Sequence, residues 1–209
     1  QDLRRKDIPV AGGKCANLGE LFGKIGVPVP NGFAVSAATY QAFLQRSGAE
    51  EKIDQILSET DVNDMEALQA ASEKIRKYVE ELPVPKEIEK AISVAYRELC
   101  KKVGKKSVPV AVRSSATAED LPGASFAGQQ DTYLNVFEKG LLKSVKECWS
   151  SLFTPRAIFY RVEKGFSHSD VLISVAVQEM VFAKASGVMF TIEPVSGDTD
   201  ELVINGSWG

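Results

Sequence analysis

The chain has little that would equip it for redox, zinc or membrane chemistry. Its three cysteines, Cys15, Cys100 and Cys148, are widely spaced, odd in number and fall in no CxxC or Cys/His pattern. They read as reduced thiols of a cytoplasmic protein. No apolar run approaches the roughly 20 residues of a membrane-spanning helix. The charged opening (Asp2, Arg4, Arg5, Lys6, Asp7) is not followed by the apolar core of a signal peptide. Positive charge is not in excess either, the formal net charge being -3. That excludes a general attraction to nucleic acid or an anionic membrane, so an anionic ligand must be held by local cations. Internal repeats and low-complexity tracts are absent. What remains is an ordinary globular composition, 44% hydrophobic and 25% charged over 209 residues, enough for one sizeable core or two small lobes.

The first half reads as mainly helical. After Gly12-Gly13, Ala16, Leu18, Leu21, Phe22 and Ile25 recur at helical spacing until Gly26 and Pro28 stop the run. VPVPNGFAVS favours extended chain and turns, and Ser36 can cap a following helix with Tyr40, Phe43 and Leu44 inward. Two amphipathic surface helices are expected over 64–82 and 85–103, with inward residues Leu68, Ala71, Ile75 and Val79, then Ile88, Ile92, Ala95 and Leu99. A valine-rich run at 108–112 then precedes a stretch rich in Ser, Ala, Gly and acidic residues at 113–130. Strands are expected at 132–136, 171–181, 186–192 and 201–204, and helices at 140–153 and 155–164. This alternation implies an α+β sheet with helices on one face. The chain opens on Gln1 and stops at Gly209 just after an apolar run, which leads us to expect a piece of a longer protein.

Three segments have chemical potential. In VAVRSSATAEDLPGASFAGQQDTYLNV a strand delivers Arg113, and small residues then run on to the next strand. Long loops between packed strands usually carry a function. Small side chains let backbone N–H groups approach phosphate, and Gly128 can take the positive φ of such a cradle. Arg113 supplies a permanently charged fork that matches phosphate oxygens. The alternative is a connector in which Arg113 pairs with Glu119 or Asp120. In GGKCANLG, glycines precede a helix and Lys14 lies in its first turn, a suitable place for an anion. It is not a Walker A loop, because Ile8 and Cys15 stand where glycine and Ser or Thr are needed. A solvent-facing lysine after a turn is the other reading. In VAVQEMVFAKASGVMFTIEP, alternation puts Val171, Ile173, Val175 and Val177 on one face and Gln178 on the other. Gln178 or the backbone of 179–181 could then read a base edge, or the segment is a hairpin with a surface glutamine. His168 lies in a polar connector and reads as a solvated loop histidine, while Trp149 and the aromatic residues of 153–160 read as core.

GGKCANLGEL with VPVPNGFAVS, VRSSATAEDLPGASFAGQQDTYLNV, SLFTPRAIFYR and SGVMFTIEP resemble, in order and separation, segments of the pyruvate phosphate dikinase and phosphoenolpyruvate synthase family, in its ATP-binding region. The resemblance spans nearly the whole chain. It implies an ATP-grasp-like α+β fold: a mainly helical subdomain over 1–107, a lobe carrying the phosphate loop over 108–195, and the start of a second, mostly missing lobe over 196–209. It implies that Lys14 and Arg113 contact the phosphates of ATP, with Arg113 stabilising charge on the transferred group. Gly128 and Thr132 would line the phosphate loop and Gln178 would lie near the base. Mg²⁺ is implied, with its ligands beyond this chain. The partners implied are downstream phosphohistidine and acceptor domains, and His168 does not match the phosphohistidine context. The wording is closest to phosphoenolpyruvate synthase, with rifampicin and phenol phosphotransferases, or a non-catalytic nucleotide-binding module, as alternatives.

Overall fold

The computed structural model describes residues 2–116 and 131–209, so Gly128, Glu119 and Asp120 lie outside the described residues. Along it run α1 (Ile8–Glu20), β1 (Gly32–Val35), α2 (Ala37–Ser47), α3 (Ala49–Ser58), α4 (Met65–Glu81), α5 (Lys86–Val103), β2 (Val110–Ala116), β3 (Thr132–Val136), α6 (Glu138–Ser150), α7 (Pro155–Glu163), β4 (Ile173–Glu179), β5 (Ala185–Phe190) and β6 (Val203–Trp208). The α+β class expected from the sequence is the one observed.

Local chemistry sets most helix ends. The Ser36 hydroxyl accepts from the Thr39 N–H at 3.2 Å and starts α2. Gly48, with φ at 66°, closes α2 and lets α3 begin at once, a helix the sequence reading had not separated. Asp64 caps α4 by accepting from the amides of Glu66 and Ala67 at 2.9 and 3.2 Å. The inward stripe of α4 is buried as expected, whereas in α5 Tyr96 fills the core where Ala95 was expected. Trp149 is fully buried and stacks on Phe43 at 4.7 Å, while Phe159 is 40% exposed.

Four strands form one antiparallel sheet in the order β1-β4-β2-β3. Residues paired across strands share a face, because side chains alternate along each strand. Val35, Val175 and Val177, with Val110 and Val112, line the rear face and join the main core with Tyr40, Ile75, Leu141 and Trp149. Ala34, Ala176, Arg113 and Thr132 line the front face, as do Gly32, Gln178 and Ala111.

Helices do not keep to one face, contrary to expectation. α1 lies on the front, where Ala11 and Cys15 pack on Ala34 and Ala176. Its approach depends on Gly12, which breaks the helix at φ 71° and ψ 163°. A Cβ there would lie 2.8 Å from Ser174 Oγ and nearer still to Ser115 Oγ, so only glycine lets α1 come this close to β2 and β4. The helix proper therefore follows the glycine pair, as expected, although one turn precedes it.

β5 and β6 form a separate antiparallel pair, exposed along its length. β6 continues through Asn205-Gly206-Ser207 to Trp208, well past the apolar run that announced it, because the small residues pair with Val188, Gly187 and Ser186. Among the described residues no helix is long and apolar enough to cross a membrane.

Candidate functional site

The front face gathers the site residues read from the sequence, apart from Gly128, onto one surface. Arg113 on β2 and Thr132 on β3 are direct cross-strand partners. Lys14, in the first turn of α1 after the glycine break, reaches the same strand: its backbone N–H donates to Ser115 Oγ at 3.2 Å and its Nζ to the Ser114 carbonyl at 3.3 Å. Lys14 is thus a residue held against β2, a hundred positions away in sequence, rather than a free surface lysine. Ser174 ties the same corner together by donating to the carbonyls of Ala11 and, at 3.1 Å, of Ser115. The Arg113 Nε is buried and has no hydrogen-bond partner among the described residues. A buried donor without an acceptor is costly in a resting protein and suits one that receives an anion.

Gln178 sits on the same face toward the opposite edge of the sheet. It lines a cavity of about 300 Å³ between α1 and the strands, with Leu3, Cys15, Leu18, Phe22 and Ala176 among the walls. The walls are mainly apolar, with the Gln178 amide and Asp2 as the polar members, which suits a flat heteroaromatic group. The backbone amides expected beside it are already engaged: the Glu179 N–H bonds the Asn31 carbonyl at 2.8 Å and the Met180 N–H that of Pro109 at 3.0 Å. Those two amides are not free to donate to a base, and the polar side chains lining the cavity are Gln178 and Asp2.

Two further groups have settled chemistry. Burial pushes the Cys15 thiol up to about 11, despite its hydrogen bond with Ser174 and the nearby charges of Lys14 and Arg113. It stays protonated and is no nucleophile. His168 is not a solvated loop residue, contrary to the sequence reading. Its Nδ1 accepts from Nε of the fully buried Arg161 at 2.8 Å. Burial and then the Arg161 charge push its pKa down to about 4, so it is neutral and carries its proton on Nε2. Sequence reasoning missed this pair because nothing in FSHSD shows which helix will face it. It also missed the partners of Gly12, Ser115 and Ser174, whose only trace is the smallness of their side chains.

Fold and face together define an α+β unit that presents two cations and a lined cavity on one sheet surface, the equipment for an anionic ligand with a flat ring. The comparison with family models gives the class a name: residues 8–209 match the model described as pyruvate phosphate dikinase, AMP/ATP-binding domain, and the chain belongs to that family. Its fold is accordingly ATP-grasp-like. The chain is 53% identical over its full length to a "Probable phosphoenolpyruvate synthase" of Methanocaldococcus jannaschii, and 58% identical over 94% of its length to one of Archaeoglobus fulgidus. It is 43% identical over its full length to the "Phosphoenolpyruvate synthase" of Pyrococcus furiosus. It spans 18%, 26% and 30% of these relatives respectively.

Proposed function

We propose that the chain is the ATP-holding part of a phosphotransferase, with the phosphates at Lys14, Arg113 and Thr132 and the base in the cavity beside Gln178. The placement of Arg113 on β2 and of Lys14 on α1, held against the same strand at the front face, carries this reading. Lys14 is held against β2 by its bonds to Ser114 and Ser115 before any ligand arrives, so little reorganisation of that cation opposes charge stabilisation during transfer. Arg113, whose buried Nε has no partner among the described residues, is the group for charge developing on the transferred phosphoryl oxygens. Gly128 belongs to the same proposal as part of the phosphate loop. The cytoplasm is the compartment proposed, in keeping with three buried free cysteines.

The whole protein would pass the phosphoryl group through a histidine on another domain to an acceptor, and the names of the relatives favour pyruvate, giving phosphoenolpyruvate. Mg²⁺ would accompany ATP. Among the described residues no group of three or more His, Cys, Asp and Glu is placed to hold a metal, and no step is derived through one.

The test is nucleotide titration of the full-length protein. Arg113→Ala should weaken ATP by about 1.5–3 kcal/mol, the usual cost of a lost charged hydrogen bond, and leave adenosine unchanged. Gln178→Ala should weaken both. Equal affinity of the unaltered protein for ATP and adenosine would sink the phosphate assignment.

A further inference from the structure

We infer that Arg76 is a positioning residue for the phosphate cations, acting from the rear of the sheet through Asp131 and Ser114; this rests on the reading of Lys14 and Arg113 given above. Arg76 lies on α4, among helices that face the rear valines, and no front-face residue touches it directly in sequence. Its Nη2 pairs with the Asp131 carboxylate at 3.6 Å, and the Tyr133 hydroxyl donates to the same carboxylate at 3.2 Å. The backbone carbonyl of Asp131 in turn accepts from the Ser114 N–H at 3.2 Å and from Ser114 Oγ at 3.3 Å. The Ser114 carbonyl is the acceptor for Lys14 Nζ. One step along each strand, Arg113 faces Thr132. A continuous chain of contacts therefore leads from Arg76 to both cations, with the side chain of Asp131 gripped behind the sheet and the site in front.

Three observations say that the grip serves position more than stability. Among the described residues β3 is the edge strand, so the Ser114–Asp131 end of its pairing with β2 has no outer strand to hold it. The Arg76 and Asp131 side chains are 33% and 37% exposed, and pairs so open to water add little to global stability. The Arg76 Nε is also buried without a partner among the described residues, which makes arginine a poor choice for stability alone.

The experiment uses the full-length protein with Arg76→Met, Arg76→Lys, Asp131→Asn and, as a control, Arg113→Ala, each titrated with ATP and with adenosine. Arg76→Met should weaken ATP about 3–10-fold, the size of coupling through a packed neighbour, with adenosine unchanged and the thermal midpoint held. Asp131→Asn should do the same from the other end of the pair, and Arg76→Lys should restore most of the loss. Hydrogen exchange at the Ser114 amide should quicken in Arg76→Met whether or not nucleotide is present. Equal losses of ATP and adenosine, or unchanged exchange at Ser114, would overturn the inference. If Arg113→Ala weakens ATP while Arg76→Met does not, the Arg76 role alone fails. If Arg113→Ala leaves ATP untouched, the phosphate reading fails and takes this inference with it.

Discussion

Gly12 meets two independent restrictions, a positive φ and the close approach of Ser115 and Ser174, and each alone would select glycine. Gly12→Ala should lower stability by about 2–4 kcal/mol, combining left-handed strain with overpacking, and a denaturant midpoint close to that of the unaltered chain would refute the account. At His168 the consequence is pH dependence. The unfolded histidine takes up a proton near 6.5 and the folded one only near 4, so the stability from its bond to Arg161 is complete above pH 6.5 and drains away as pH falls toward 4. Allowing for partial exposure, the loss is about 1–3 kcal/mol. His168→Gln keeps an acceptor for Arg161 but has no proton to gain. Urea midpoints of the two proteins should therefore diverge between pH 7 and 4.5, with the unaltered chain losing more.

Single elements show which features can be read from sequence and which cannot. Helix caps are local: Asp64 and Ser36 act on amides two or three residues away, and the sequence reading named Ser36 as a cap and started a helix at Asp64. Asp64→Ala should cost about 1 kcal/mol, seen as a lower thermal midpoint with binding unaffected. The stripes of α4 and the alternation of β4 were legible for the same reason. By contrast, β1 finds its partner at Gln178, and α1 finds its seat at Ser115 and Ser174, across most of the chain. No periodicity within 8–35 reveals which face those elements will cover, so the second layer on the sheet appeared only in the structure. The candidate site follows the same division. Arg113 and Gln178 were marked by residue type and strand position and Thr132 by the family resemblance, whereas the contacts holding Lys14 and the Arg76–Asp131 pair depend on tertiary placement.

At the scale of the molecule, the core behind the sheet takes residues from Val35 to Val177, and the β5–β6 pair stands outside it. Met189, Ile204 and Trp208 share one face of that pair and are 58%, 71% and 88% exposed. Apolar patches of this kind promote association. The isolated chain should self-associate as its concentration rises, and Ile204→Lys with Trp208→Ser should reduce this in sedimentation without moving the thermal midpoint.

The seating of α1 against β2 has a consequence for time as well as space. Lys14 and Ser114 are 100 positions apart and Ala11 and Ser174 are 163 apart, so their meeting closes long loops. Contacts at such separation form late, after the helices behind the sheet have collapsed on their own neighbours. A nucleotide held between them would find nothing to bind in the folding transition state. Saturating ATP should accordingly leave the refolding rate of the full-length protein unchanged and slow its unfolding, so that the ligand acts as a latch on a finished molecule and gives no help in building it.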